Sequence, residues 1–174
     1  MTDTRTAEPN SATLTVRWAT PGEMEGAARF FARTIVLDRS YVSHGEIQTG
    51  LSLDGTGWAP DLEEKFVEDL GDPGPDRQVA LAYLDGKLAG AAIVLWVRSD
   101  RVSYMVIEDV AVDPAARSAG VGRALIAFVE AEGRAQGIGW SFLESGLGNE
   151  GAHHFFEGLG YAAMSKVFAR RLDG

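Results

Sequence analysis

The segment Val110-Ala111-Val112-Asp113-Pro114-Ala115-Ala116-Arg117-Ser118-Ala119-Gly120-Val121-Gly122 decides how this chain is read. Residues 103–112 form an apolar, β-branched run that reads as a strand ending at Asp113-Pro114. A helix is predicted from Gly120 to Gln136, with Val121, Leu125, Phe128 and Val129 on one face. Gly120 and Gly122 lack side chains, so successive backbone N–H groups can approach an anion closely. The helix start adds unpaired donors and the positive end of its dipole, and Arg117 and Arg123 add fixed charge. This constellation suits a pyrophosphate. A dinucleotide fingerprint would need glycine where Leu125 stands, and a phosphate-binding loop of the Gly-Lys-Ser/Thr kind would need a lysine that is missing. On the glycines alone, a tight strand-to-helix connection without a ligand is an equal alternative.

Working outward, residues 14–18 alternate as a half-buried strand does. Thr20-Pro21-Gly22-Glu23 then supplies a cap, a proline for the first turn and a Glu three after the Thr, which predicts a helix over 21–35. Residues 38–60, with glycines at 45, 50, 55 and 57, predict short helical pieces and loops. Leu62, Phe66 and Leu70 mark an amphipathic helix over 61–70, ended by Asp72-Pro73-Gly74-Pro75. Residues 78–84 and 87–97 form a hairpin about Asp85-Gly86, the pair that a tight two-residue turn favours. After the glycine-led helix come a strand over 140–145, a helix over 149–159 and one or two final strands over 161–172. The order βαα, three strands, then αβαβ predicts an α/β (α+β) fold: a single mixed, mostly antiparallel sheet flanked by helices.

A chain of 174 residues with 45% hydrophobic and 24% charged residues suits one domain, expected over 13–174 behind a loose tail at 1–12. No cysteine is present, so disulfides, thiolate nucleophiles and Cys-ligated metals are excluded, and a cytoplasmic location is expected. No segment has the length and apolarity of a signal peptide or a membrane span. The net charge of −9 argues against nucleic acid as a partner and would favour a cationic substrate.

Arg117-Ser118-Ala119-Gly120-Val121-Gly122 resembles the Gln/Arg-x-x-Gly-x-Gly/Ala signature of the GCN5-related N-acetyltransferase (GNAT) superfamily. A second match lies downstream, in Leu143-Glu144-Ser145-Gly146-Leu147-Gly148-Asn149, Ala152, Phe155-Phe156-Glu157 and Gly160-Tyr161. The two motifs in register span about residues 103–161. The resemblance implies an acetyl-CoA-dependent N-acetyltransferase with parallel strands splayed in the middle of its sheet. It also implies direct attack of a primary amine, on a small molecule or peptide, at the thioester, and it leaves a homodimer open. The backbone of Val110, Ala111 and Val112 would hold the pantetheine arm. Arg117, Ser118, Ala119, Gly120, Val121, Gly122 and Arg123 would hold the pyrophosphate. Asn149 would meet the pantetheine or cap its helix, and Phe156 would lie along the cofactor. No metal is implied.

Attack on a thioester needs a neutral amine, and an alkylamine of pKa roughly 10.4 is almost wholly protonated at neutral pH, so a base is required. Glu108 and Asp109 are the candidates, since a carboxylate in an apolar strand is costly unless paired or functional. Strand alternation should send them to opposite faces, and Glu108 is the favoured base. The resemblance places a tyrosine acid where this chain has Phe156, which cannot donate a proton. His153 and His154 read as edge or solvent-facing residues of their helix. By the same resemblance, residues 38–60 shape the acceptor pocket, with Tyr41, His44, Glu46 and Trp58 as candidate liners. The competing function is an acyl-CoA-binding sensor that kept the fold without the chemistry.

Overall fold

The alternating residues Leu14–Trp18 form β1 of the computed structural model, which describes residues 12–172. The expected tail, apart from Ala12, lies outside the described residues. Thr20 and Glu23 close a capping box, a single 3-10 turn follows, and α1 runs over Met24–Ile35 with Phe30, Phe31 and Ile35 buried. Residues 38–60 contain a 3-10 turn at Arg39–Tyr41 and a short α2 (His44–Gln48), as their broken pattern predicts. Next comes α3 (Leu62–Gly71), which buries Leu62, Phe66 and Leu70.

β2 (Arg77–Leu84) and β3 (Lys87–Val97) form the expected hairpin. Asp85 and Gly86 have φ of 50° and 78°, the left-handed pair that matches the twist of two antiparallel strands. β4 (Tyr104–Val112), α4 (Val121–Ala135), β5 (Trp140–Leu143) and α5 (Glu150–Glu157) complete the order. The sheet runs β1-β2-β3-β4-β5, antiparallel throughout except for the parallel β4–β5 pair.

One face of this mixed sheet is covered by α1 and α3, whose core joins Phe31, Phe66 and Leu70 to Leu81 and Ile93. The other face is covered by α4, whose Val121, Leu125 and Val129 meet Ala92, Val94 and Ile107. Gly90 of β3 lets α4 come this close: a Cβ there would lie 2.6 Å from a Val121 methyl and 2.9 Å from Leu125. That approach fixes the first turn of α4 against the end of β4.

Two expectations need correction. The final strands over 161–172 do not form, and β5 is the edge of the sheet. The segment sets Val167 beside Phe168 and Arg170 beside Arg171, so it lacks the alternation that would give a strand one apolar face, and its Phe168 is 92% exposed. β5 itself is shorter than 140–145, because its pairing with β4 stops at Leu143. Among the described residues no helix is long and apolar enough to cross a membrane.

Candidate active site

β4 is paired with β5 only from Tyr104 to Ile107, opposite Trp140 to Leu143. Beyond that point the strands diverge, and the β5-facing edge of residues 108–112 opens on a cavity of about 1090 Å³. The same region carries a bulge. Ile93 pairs with Asp109 and Val94 with Ile107, so Glu108 is an extra residue without a partner on β3. The bulge breaks the alternation expected at Glu108 and Asp109. Both carboxylates line the cavity, which corrects the expectation that they face opposite ways.

Their surroundings differ. Glu108 is held by Arg77, whose Nε donates to its Oε2 at 2.5 Å, while the two terminal nitrogens of Arg77 hold Asp69 at 3.0 and 2.8 Å. Asp109 has no hydrogen-bonded partner for its carboxylate among the described residues. Burial, with the nearby carboxylates of Glu46 and Glu108, pushes its pKa up to about 8.

At the other end of the cavity the chain leaves β4 through Asp113, whose side chain accepts from Ala115 N–H and starts a 3-10 turn. Ser118 and Gly120 take φ of 68° and 79°, turning the chain into α4. No side chain caps that helix, so its first N–H groups point unpaired into the cavity end. A Cβ on Gly120 would meet nothing; the glycine is needed for its φ. At Gly122 a Cβ would lie 3.1 Å from the Phe155 ring, a tight contact that the ring would have to relieve by a few tenths of an ångström. Val110, Ala111, Val112, Arg117, Ser118, Gly120, Val121, Gly122 and Arg123 all line the cavity, and Ala119 does not. Asn149 lines it too while capping α5, its side chain accepting from Ala152 N–H at 3.1 Å. Phe156 lies on the same wall.

Of the expected acceptor-side residues, Tyr41 and Glu46 line the cavity, and His44 and Trp58 do not. His44 turns to Glu144, Nδ1 to Oε1 at 2.6 Å. Trp58 packs behind Tyr41, ring centroids 6.2 Å apart, against the α1–α3 core. The loop carrying Tyr41 also lies on the exit of β5: a Cβ on Gly146 would collide with Ser40 O and lie 2.9 Å from Val42 O. His153 and His154 bond backbone carbonyls of Gly146 and Glu150 and stay out of the cavity.

Sequence reasoning did not find Arg77 or Asp69, which sit 31 and 39 positions before Glu108. Their only local signal is an arginine opening an otherwise apolar strand and an acid on the exposed side of α3. With them the cavity has two ends of opposite sign. Arg117 and Arg123 stand at the helix start, and Glu46, Glu68, Asp69, Glu108 and Asp109 stand at the bulge, where Arg77 offsets part of the charge. Such a site can hold an anion at one end and a cation at the other.

The family model described as "Acetyltransferase (GNAT) family" matches residues 46–161. Among curated proteins, streptothricin acetyltransferase of Streptomyces lavendulae is 28% identical over 165 residues, covering 88% of this chain and 84% of that protein. Among solved structures, an aminoglycoside N-acetyltransferase in complex with CoA superposes with a TM-score of 0.68 at 16% identity, covering 97% of this chain and all of that one. An aminoglycoside acetyltransferase from an uncultured soil metagenomic sample, in complex with sisomicin, gives 0.63 at 17% identity over 91% and 94% of the two chains. The structural likenesses show a shared fold.

Proposed function

The chain belongs to the acetyltransferase (GNAT) family, and from that membership we propose that it is an acetyl-CoA-dependent N-acetyltransferase acting on a primary amine of a small cationic molecule. The observation that carries this reading is the unpaired edge of β4, which leads from two carboxylates at a bulge to the uncapped, glycine-led start of α4. The residues present fit acetyl-CoA. The turn at Ser118 and Gly120 aims free N–H groups at a pyrophosphate, with Arg117 and Arg123 beside it. The β5-facing edge of Val110 and Val112, which no strand pairs and where Val110 meets only the Tyr41 hydroxyl, offers the pantetheine amides the ladder that β5 would otherwise supply.

The acceptor enters at the acidic end, where Glu46, Asp69 and Asp109 attract an ammonium group. Asp109 is the base, in place of Glu108, which the sequence favours. Glu108 is occupied by Arg77, whereas Asp109 is unpaired and titrates near the working pH. Asp109 takes the proton from the bound ammonium, and the freed nitrogen attacks the thioester carbonyl carbon. Val110 N–H, which meets the Tyr41 hydroxyl on the β5-facing edge, is the donor this reading assigns to the oxygen that becomes negative. The C–S bond then breaks, CoA leaves as its thiolate, and the second proton of the nitrogen passes to solvent, leaving the neutral amide. With a thiol pKa near roughly 8.5 that departure needs little help, which is consistent with Phe156 standing where an acid would otherwise be. The acceptor class draws support from the relatives named for streptothricin and aminoglycosides.

Binding is tested by thermal denaturation. At a hundredfold excess over Kd acetyl-CoA stabilises the fold by about 2.7 kcal/mol, a rise of several degrees in Tm. Gly120→Val, which forces a β-branched residue to φ near 79°, should abolish that rise. No rise with the native protein would refute acyl-CoA binding.

A further inference from the structure

Tyr41 makes a contact that an acceptor-pocket liner has no reason to make. Its hydroxyl donates to Val110 C=O at 2.7 Å and accepts from Val110 N–H at 3.0 Å, so one phenol closes both backbone groups of the bulged strand's open edge. The ring behind it is fixed, packed against the α1–α3 core and Trp58. The strap that carries it is tied down at the exit of β5, by Ser43 and His44 to Glu144 and by the close approach of Gly146 to Val42. The ring is held by this packing, so the O–H bond can rotate in place, and the oxygen itself leaves Val110 only by a tilt of the ring.

The groups it covers are those a thioester substrate needs, given the reading above. An arm added along β4 takes Val110 C=O, and an acyl oxygen takes Val110 N–H. Tyr41 then loses its acceptor and its donor together. A hydroxyl cut off from water by the arriving substrate and left without a partner is costly, so its proton must find another acceptor within reach. The acyl oxygen arriving at the same N–H is that acceptor.

We propose that Tyr41 is a catalytic residue: its O–H and the Val110 N–H form a two-donor cradle for the acyl oxygen of the thioester. Tyr41 keeps its proton throughout. As the amine nitrogen bonds to the carbonyl carbon, the C=O π pair moves onto oxygen, and both donors shorten onto the developing charge. When the tetrahedral carbon collapses, the pair returns and the C–S bond breaks with its electrons on sulfur; the first of the ammonium's two departing protons rests on Asp109 and the second passes to solvent. Burial and the neighbouring Asp109 carboxyl hold the phenol well above the ordinary tyrosine pKa, so it is a neutral donor at every working pH. The assignment moves Tyr41 from the acceptor pocket to the reacting atoms.

Tyr41→Phe keeps the ring and its packing. The expected result is a fall in kcat of about a hundredfold, typical for loss of one oxyanion donor. KM for the amine should change less than threefold, and the pH dependence set by Asp109 should keep its shape. Acetyl-CoA and its thioether analogue S-ethyl-CoA, which lacks the acyl oxygen, should then bind the variant more nearly alike than they bind the native protein. A variant with native kcat overturns the proposal, as does one whose only change is a raised KM for the amine. If Tyr41→Phe does not fold, the native protein decides: it should bind acetyl-CoA at least fivefold more tightly than S-ethyl-CoA, and equal affinities refute the cradle. Absence of thiol release or binding with the native protein would instead refute the function proposed for the site.

Discussion

The two halves of β4 belong to one continuous strand and do different work. From Tyr104 to Ile107 the strand is paired on both edges, and Met105 and Ile107 are buried under α4. From Glu108 to Val112 it keeps β3 on one side, gains an extra residue, and leaves its other edge to a tyrosine hydroxyl and a cavity. Backbone groups buried without partners are expensive, so a strand edge is left open only where something else will fill it. On the function proposed for the site, the lower half is a structural strand and the upper half a binding surface built on it.

Substitutions in the two halves should therefore separate cleanly. Asp109→Asn in the upper half should lower the rate of thiol release from acetyl-CoA by 10²–10⁴-fold, the usual cost of removing a general base, with Tm at or above that of the native protein. Met105→Ala in the lower half should cost about 2–5 kcal/mol of stability, read by urea denaturation, with KM values for the folded fraction unchanged. The comparison breaks if Met105→Ala acts on KM while leaving stability intact. Arg77→Ala tests the difference between the two carboxylates: with its partner removed, Glu108 adds an unscreened charge beside Asp109, so the pH at which the rate rises should move upward from about 8.

A smaller effect comes from pH and stability. The carboxyl of Asp109 has its pKa raised on folding, from an unfolded value of 3.8 to about 8. The folded state favours its protonated form, so that contribution to stability is complete below pH 3.8, is lost progressively as pH rises to 8, and does not change further. Asp109→Asn carries no such charge. Its Tm relative to the native protein should increase between pH 4 and pH 8 and level off above. A constant difference across that range would mean that Asp109 is not held protonated by the fold.

How much of this was legible in the sequence follows from how far apart the interacting residues lie. The turn from Asp113 to Gly122 was readable because its chemistry is local: a strand end, left-handed positions and a helix start within ten residues. The Asp85-Gly86 hairpin and the α1 and α3 faces were readable for the same reason. The bulge at Glu108 was not, since a one-residue register shift is set by pairing with β3 and leaves no mark in β4 itself. Nor was the choice between Glu108 and Asp109, which depends on Arg77, or the use of Tyr41, which meets Val110 across 69 positions. The strands expected over 161–172 failed on the weakest kind of signal, an apolar content without alternation.

The measurement that bears most directly on the account is the release of free thiol from acetyl-CoA by the native protein across a panel of amines. The account predicts saturable, amine-dependent release that is fastest with small, multiply cationic acceptors and rises with pH through about 8 as Asp109 ionises. No amine-dependent release across the panel, from a protein whose Tm still rises with acetyl-CoA, would contradict it and leave the open half of β4 as a binding surface only.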